Sequence, residues 1–392
     1  MLLSKRSQVL EESLTIAITT MAKNLKAQGE DILSFSAGEP DFDTPKKVKE
    51  AAIKAIEQGC AAYTNVEGNL DVLQAIQTKF KRDNDLDYDT SEIITNVGAK
   101  QSLFNCIQCL LEEGDEAIIP APCWVSYPEI VKFAGAKPVL VQTKEENSFK
   151  LKADELKKAI TSKSKMLILN YPSNPVGAVY SKDELKELAA VLEGSDIVVL
   201  SDEMYEKLQY DNEEFFSFAK ASDDALKRTV TINGLSKCAA MPGWRFGYMA
   251  CKDKELIKAL KKLQSQSTSN ICSIVQKAAI PVLLGEVDED IKMMRNEFEK
   301  RRNKAYEMIN SIEGLKISNT PKGAFYLFIN IQDVEKDSML FCKRLLEEQK
   351  VALVPGLGFG MDGFVRFSYA TSMDNIVKGI QRIQEFVKNY KA

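Results

Sequence analysis

Between about residue 90 and residue 251, the chain carries seven short apolar segments separated by stretches of helical length and period. The segments are EIITNVG, EAIIPAP, KPVLVQ, KMLILN, DIVVLSDE, TVTING and FGYMAC, with AKQSLFNCIQCLLEEG and SKDELKELAAVLEG among the stretches between them. This alternation is typical of a mostly parallel sheet with helices on both faces. Nearly continuous apolar strands agree with burial on both faces. The sequence therefore predicts an α/β fold built on a seven-stranded sheet.

After residue 282 the pattern changes. The charged helical run DEDIKMMRNEFEKRRNKAYEMINSI leads to the apolar runs GAFYLFINI, VALVPG and FVRFSYA, and then to an amphipathic helix. Mixed helices and strands of this kind are typical of a smaller α+β domain. We expect residues 1–44 to form an N-terminal arm and the start of this small domain, residues 45–282 to form the large domain, and residues 283–392 to form the small C-terminal domain.

The composition excludes several classes of protein. The 392 residues include no histidine, so the chain lacks a Ser-His-Asp triad and the common zinc sites that use histidine. We expect no metal. The net charge of −4 and a pI of about 5.4 provide no basic surface for nucleic acid. Because no apolar run approaches the ~20 residues of a membrane span and no signal-peptide core begins the chain, we expect a cytoplasmic protein without membrane contacts.

Two predicted strands end in turns suited to ligand binding, and ligands of such sheets bind beyond the carboxyl ends of the strands. After EIITNV, a helix opens with Gly98, Ala99 and Lys100. Free backbone N–H groups at a helix start suit a phosphate, although a plain glycine turn explains this stretch equally well. After KMLILN, the turn YPSNPVG places Asn174 at the rim of the sheet. Turn formation alone also accounts for that asparagine.

Two more strand ends place charged groups in apolar surroundings. Asp202 ends the run DIVVLSD, and a carboxylate there needs a cation or hydrogen bonds. Lys237 stands in NGLSKCAAMPGWRFGY without an acidic neighbour, eight residues before Arg245. Its amine lies either in water above a packed stem or inside a site. A buried acid, a desolvated amine, a phosphate cradle and an arginine together suit pyridoxal phosphate (PLP), a cofactor with a phosphate, a basic ring nitrogen and an aldehyde.

Seven motifs carry a specific family resemblance. SAGEPDFDTP, GAK, YPSNPVGAVY, SDEMYE, NGLSKCAAMPGWRFGY, GAFYLF and VRFSYATS occur in the order and spacing of the class I aminotransferases of fold type I. The chain resembles their bacterial aspartate aminotransferase branch along nearly its whole length. The resemblance implies a PLP-dependent transferase that exchanges an amino group between L-aspartate, or a similar acidic amino acid, and 2-oxoglutarate, giving oxaloacetate and L-glutamate.

The resemblance also implies roles around the cofactor ring. Lys237 would hold PLP covalently through its amine and then carry the substrate's Cα proton. Asp202 would keep the pyridine nitrogen protonated. Tyr205 and Asn174 would bond the phenolate oxygen of the ring, and Trp124 would stack on the ring face.

For the cofactor phosphate and the subunit contact, the resemblance implies a second set of residues. The phosphate would be met by the backbone of Gly98 and Ala99 and by Arg245, and Lys100 and Ser236 would also contact the cofactor. Arginine offers a bidentate fit there that lysine does not. Tyr63, in CAAYTNVEG, matches a tyrosine that reaches the phosphate of the neighbouring subunit, which implies a homodimer with shared sites.

The substrate contacts follow from the same resemblance. Arg366 would bind the α-carboxylate in fork geometry, with help from Asn174 and the backbone of Gly38. Thr15 and Lys100 would contact the distal carboxylate of the substrate, which favours dicarboxylates, and Trp124 would also line the substrate site. A lysine is a flexible point charge, so an aminotransferase of broader specificity, acting on aromatic amino acids or prephenate, is the alternative.

We expect three departures from the family pattern to touch the pocket wall and the subunit contact, and so to bear on substrate preference and affinity. They are Cys123 beside Trp124, Tyr171 in place of a serine before the SNP turn, and Glu67 after the phosphate tyrosine. A PLP-dependent lyase on the same fold is a second reading, because fold does not fix the reaction. A PLP-binding transcriptional regulator is a third, but we expect no room for a DNA-binding domain before the first motif.

Overall fold

The computed structural model describes residues 2–11 and 14–390, without the side chains of residues 14–17. The described part contains α-helices α1–α14, which in chain order span Lys5–Gln8, Leu14–Ala27, Lys46–Glu57, Leu70–Asn84, Ala99–Leu110, Ser126–Phe133, Ala153–Ala159, Lys182–Leu192, Asp223–Arg228, Lys254–Ser265, Ser273–Leu283, Asp288–Asn310, Ser338–Gln349 and Met373–Lys388. It contains β-strands β1–β12, which span Leu33–Ser34, Ile93–Val97, Glu116–Ala121, Lys137–Gln142, Ser164–Asn170, Val198–Asp202, Thr229–Gly234, Phe246–Ala250, Tyr326–Asn330, Val351–Ala352, Val354–Pro355 and Phe364–Ser368. Short 3₁₀ turns span Thr90–Glu92, Glu145–Asn147, Phe218–Lys220 and Gly356–Phe359.

The seven apolar segments form one sheet, which confirms the predicted fold. Its strand order is β2-β8-β7-β6-β5-β3-β4. All neighbouring strands are parallel except where β8 pairs antiparallel with β2 and with β7. Strand β7 is buried at every residue, as expected for a strand covered on both faces.

The remaining strands form two smaller sheets. Strands β11, β12 and β9 form an antiparallel sheet in that order. Strand β1 pairs parallel with β10, Leu33 opposite Val351. Phe35, just after β1, stacks on Phe367 of β12 with ring centroids 4.2 Å apart. Residues near the N-terminus therefore pack with the C-terminal strands, while the division into domains stays a prediction.

Local sequence explains the helix that closes the chain. Ser372 caps α14 by accepting a hydrogen bond from the Asn375 N–H at 3.3 Å. The buried residues of this helix recur every three or four positions and are Ile376, Gly379, Ile380, Ile383 and Phe386. This spacing makes a single apolar stripe, so α14 lies on the core with its charged face outward.

At the carboxyl ends of the strands, the backbone of the sheet and the start of α5 lie in close contact. Strands β5, β6 and β7 end in Asn170, Asp202 and Gly234, and Gly98, in the turn after β2, caps the N-terminus of α5. On β8, Gly247 lies against this turn, because a Cβ there would overlap the backbone of Gly98 and Ala99. Glycine at this position lets the start of α5 rest directly on the sheet.

Among the described residues, no helix is both long enough and apolar enough to cross a membrane. The same part of the chain holds no group of three or more cysteine, aspartate or glutamate side chains that could bind a metal ion.

Candidate active site

A cavity of about 320 Å³ opens at the carboxyl ends of the strands. It is lined by Gly38, Ala99, Lys100, Leu103, Trp124, Tyr127, Asn170, Asn174, Asp202, Met204, Tyr205, Ser236, Lys237, Pro242, Arg245, Tyr326 and Arg366. Most of the residues predicted for the site therefore meet in one place. Of the others, Gly98 adjoins the cavity beside Arg245, and Tyr63 is 92% exposed on the surface. The side chain of Thr15 falls outside the described residues.

The carboxylate of Asp202 lies at the end of β6 and is 5% exposed. Tyr127 Oη donates a hydrogen bond to its Oδ2 at 2.7 Å, and the Met204 N–H donates to Oδ1 at 3.2 Å. Burial raises the pKa of this carboxyl, while the two hydrogen bonds and the nearby Lys237 charge lower it. A third donor or a second cation in the cavity would favour the ionised form further.

The amine of Lys237 faces the same cavity from the loop after β7. It donates to the backbone oxygen of Gly38. Burial, and after it the positive charge of Arg366, lower the pKa of this amine to about 8. The lowered pKa increases the fraction of the amine that is neutral near physiological pH, and the neutral amine is the form that attacks a carbonyl carbon.

Two tyrosines meet in the cavity wall. The hydroxyls of Tyr205 and Tyr326 are 2.9 Å apart and share a hydrogen bond. Burial raises the pKa of both phenols, so both stay protonated and one hydroxyl hydrogen remains to be donated elsewhere. Tyr205 was predicted to bond a cofactor ring; in this structure its partner is Tyr326.

The guanidinium of Arg366 is 3% exposed and is held on several sides. It donates to Asn174 Oδ1 at 2.9 Å and to the Ser36 backbone oxygen at 2.8 Å. It also lies over the rings of Tyr326 and Phe359, 4.5 Å and 5.0 Å from their centroids. Its buried Nε has no hydrogen-bond partner among the described residues. A buried cation with a spare donor is suited to an anion such as a carboxylate.

The start of α5 forms a second anion-binding region. Gly98 has a φ of 75°, and a Cβ on it would lie 2.5 Å from Arg245 Nη2, so the guanidinium rests against the first turn of the helix. Arg245 itself is exposed, has a φ of 58° and donates to the Pro242 oxygen at 3.0 Å. Lys100 Nζ lies 4.6 Å from the centre of the Trp124 ring, and burial, then the charge of Arg245, lower its pKa. Helix N–H groups and two cations suit a phosphate.

The charges of the cavity fit PLP and its amino acid substrates. The lining contains the four cationic side chains Lys100, Lys237, Arg245 and Arg366 but only one carboxylate, that of Asp202. Such an excess needs anions, and PLP brings a phosphate while an acidic amino acid brings carboxylates. The aromatic face of Trp124 and the Asp202 carboxylate provide a stacking surface and a partner for a protonated ring nitrogen. The residues present therefore fit the cofactor.

Sequence reasoning missed three polar residues of the lining. Tyr127 bonds Asp202, and Tyr326 bonds Tyr205. Asn170 donates to the Asp202 backbone oxygen at 3.0 Å and accepts from the Asn174 N–H at 2.9 Å. Two of the three stand at signals that were available: Asn170 ends a predicted strand, and Tyr326 lies in the quoted motif GAFYLF.

The three departures from the family pattern lie outside the cavity lining. Cys123 is buried, its N–H bonds the Phe359 oxygen at 3.0 Å, and burial raises the pKa of its thiol to about 12. Tyr171 is buried with its ring stacked on Phe215. Glu67 pairs with Lys261 at 2.9 Å. The expectation that these changes reach the pocket wall is therefore wrong for Cys123 and Tyr171, which are core residues.

Comparisons with known proteins agree with this geometry. Residues 30–383 match the family model of aminotransferase class I and II. The chain is 46% identical to an aspartate aminotransferase of Bacillus subtilis over 100% of both chains, and 45% identical to a probable aspartate/prephenate aminotransferase of Rickettsia conorii over 98% of both. The solved structure of the Thermus thermophilus aspartate aminotransferase with maleate superposes with a TM-score of 0.94 at 40% identity, covering 98% of this chain and 99% of that one.

The fold and the site thus define a PLP-dependent transferase of fold type I. The chain belongs to the class I and II aminotransferase family.

Proposed function

We propose that this aminotransferase transfers the amino group of L-aspartate, or of a similar acidic amino acid, to 2-oxoglutarate, giving oxaloacetate and L-glutamate. One observation carries the proposal: the cavity that holds Asp202 and Lys237 also holds two further cations, Arg366 and Lys100, suited to the two carboxylates of a dicarboxylic substrate. The names of the B. subtilis and R. conorii relatives also support aspartate as a substrate.

Bound PLP supplies an electron sink for the carbanion left when the substrate loses its Cα proton. Lys237 would hold the cofactor and, once displaced by the substrate amine, move that proton, a task suited to an amine whose pKa is about 8. Asp202 would bond the ring nitrogen, and the Tyr205 hydroxyl would donate to the ring oxygen. Trp124 would cover the ring face and exclude water.

The positions of the substrate carboxylates follow from the same lining. Arg366 would bind the α-carboxylate with its free Nε and its guanidinium edge, because Asn174 and Ser36 already fix the orientation of that group. Lys100 would meet the distal carboxylate above Trp124. The predicted contact of Thr15 stays a prediction.

We also infer a homodimer in the cytoplasm. A groove of about 970 Å³ adjoins the cavity, shares Lys100 and Arg245 with it, and has Phe104 and Phe133 in its wall. A second copy of the chain would cover this groove, and its exposed Tyr63 would complete the phosphate site. A sedimentation mass of one chain would contradict this inference, and fractionation of cells tests the location.

Broader specificity is the second candidate function. It is favoured by the R. conorii relative, whose name includes prephenate, and by the use of lysine, a mobile point charge, at the distal position. A lyase differs from both in its product, because only amine transfer leaves the cofactor in the pyridoxamine form together with a 2-oxo acid.

The proposal is tested by removing the amine of Lys237. We expect Lys237→Ala to abolish the visible absorption band of lysine-linked PLP and to lower turnover by about 1,000-fold or more, since both the covalent link and the proton carrier are lost. Lys237→Arg, which keeps a cation but not a nucleophilic amine, should behave in the same way. Full activity in either variant would refute the assignment.

Titration of the unsubstituted holoenzyme with a panel of amino acids identifies the reaction and the substrate together. We expect aspartate and glutamate to convert the cofactor to the pyridoxamine form at the lowest concentrations. Conversion by aromatic amino acids alone would contradict a preference for dicarboxylic substrates and would support the aminotransferase of broader specificity. Release of pyruvate or ammonia without conversion of the cofactor would indicate a lyase.

A further inference from the structure

The Asp202 carboxylate has one hydrogen-bond donor on each oxygen. The donor to Oδ1 is the Met204 backbone N–H at 3.2 Å, and the donor to Oδ2 is Tyr127 Oη at 2.7 Å. In the part of the chain that the structure describes, Tyr127 is the only side chain recorded as donating to this carboxylate. The shorter contact of the pair therefore comes from a residue that the sequence motifs did not identify.

Tyr127 has little freedom to give up this contact. It lies in the first turn of α6 and is 1% exposed. Its N–H bonds the Trp124 oxygen at 3.0 Å, and its ring packs edge-to-face against Trp124 with centroids 5.3 Å apart. The same short segment thus carries the aromatic face of the cavity and the donor to its carboxylate, and fixes one relative to the other.

The hydrogen bond opposes the cost of burying Asp202. Burial raises the pKa of the carboxyl; the titratable groups that face it are Tyr127 and Lys237, which lower its pKa, and Tyr205, whose phenol becomes harder to ionise beside it. Burial, and then the charge of Asp202, raise the pKa of Tyr127 itself. Tyr127 therefore stays protonated and acts only as a donor to Asp202, which stabilises the ionised carboxylate.

We propose that Tyr127 is a positioning residue that keeps the Asp202 carboxylate ionised and aimed at the ring nitrogen of the bound cofactor. The proposal rests on the proposed role of Asp202 toward PLP. Without the phenol, the proton between the ring nitrogen and Asp202 moves toward the carboxyl, and the ring accepts electrons less readily.

The test is the nitrogen-15 NMR shift of the pyridine nitrogen in holoenzyme loaded with labelled PLP. In Tyr127→Phe we expect this shift to move toward the unprotonated value as the pH rises, at a lower pH than in the unsubstituted enzyme. We also expect kcat to fall about tenfold, the factor that corresponds to a hydrogen bond to a charged group, with the KM for aspartate changed less than about threefold.

Tyr88→Phe is the matched control. Tyr88 is equally buried, and its hydroxyl bonds Thr231 Oγ1 at 3.1 Å, away from the cavity. We expect this variant to lose a comparable amount of thermal stability but to keep the wild-type nitrogen shift at every pH. A Tyr127→Phe enzyme that matches Tyr88→Phe in both shift and kcat would overturn the proposal.

Failure of this proposal is distinct from failure of the proposed function. An unprotonated ring nitrogen in the unsubstituted holoenzyme would contradict the role of Asp202 itself. A protonated nitrogen in both the unsubstituted enzyme and Tyr127→Phe would overturn only the role of Tyr127. If Tyr127→Phe does not fold, 3-fluorotyrosine at position 127, a more acidic donor, should hold the nitrogen protonated to higher pH, and an unchanged pH dependence would overturn the proposal.

Discussion

Arg366 and Arg245 line the same cavity, and both lower the pKa of the Lys237 amine by their charge. Their surroundings differ. Arg366 is buried between two aromatic rings and donates to Asn174 and to a backbone oxygen. Arg245 is exposed, and the described chain gives it one hydrogen bond, to a backbone oxygen three residues away.

The difference shows which of the two arginines the protein already holds in a fixed orientation before a ligand binds. The protein itself fixes the orientation of Arg366, so a carboxylate meets a donor that has already lost its side-chain freedom. Arg245 keeps more of that freedom and contacts solvent, so its geometry depends on the anion it meets. We therefore expect substitutions of Arg366 to have larger effects than those of Arg245.

Arg366→Lys should have the largest effect on this comparison. Lysine keeps the charge but loses the fork that bonds a carboxylate and Asn174 together, so we expect kcat/KM for aspartate to fall about 100-fold while PLP affinity stays within about twofold. Steady-state kinetics and PLP titration of the apoprotein measure the two quantities. Arg302→Lys, at another buried arginine that pairs with Asp211, controls for loss of a buried guanidinium. An equal loss of kcat/KM in Arg366→Lys and in the control would contradict the claim that Arg366 is specifically oriented to bind a carboxylate.

Lys100→Met should have an intermediate effect that depends on the substrate. Methionine keeps a long side chain above Trp124 but removes the charge, so we expect kcat/KM to fall about 30-fold for aspartate and to change little for phenylalanine. Parallel assays with the two amino acids measure the difference. Lys182→Met, at a lysine that lies over the Phe216 ring, is the control. An unaffected aspartate rate with a collapsed aromatic rate would contradict the dicarboxylate proposal.

Arg245→Gln should have the smallest effect of the three. Solvent weakens the interactions of an exposed arginine, so we expect the Kd for PLP to rise about tenfold and the KM for aspartate to stay nearly constant. Fluorescence titration of the apoprotein with PLP gives the Kd, and Arg382→Gln, at a surface arginine paired with Asp31, is the control. A loss of PLP affinity larger than about 100-fold would mean that the protein fixes the orientation of the Arg245 guanidinium as firmly as that of Arg366.

Much of the fold could be predicted because its signals are local. A strand covered on both faces needs an uninterrupted apolar run, and the seven runs of the sequence became the seven strands β2–β8. Asp202 and Lys237 could be proposed because charged groups after such runs are costly without partners. The specific residues of the site, such as Arg366, came from the family resemblance and not from composition or period.

The rest depends on contacts between distant parts of the chain. Tyr127 lies 75 residues before Asp202, and Tyr326 lies 121 residues after Tyr205. A tyrosine in an apolar helix or strand is usually a core residue, so neither sequence position shows that its hydroxyl points at a functional group. Cys123 illustrates the opposite error, because a position next to Trp124 in sequence belongs to the core and not to the cavity wall.

The bond from Arg366 to the Ser36 oxygen joins residues 330 positions apart. During synthesis, Ser36 leaves the ribosome long before Arg366 is added to the chain. Strand β1 likewise cannot pair with β10 until residue 351 has been synthesised. A polypeptide that stops before residue 366 therefore lacks the arginine that we propose binds the substrate α-carboxylate, however well its central sheet has folded. The proposed amino acid site is therefore completed only after residue 366 has been synthesised.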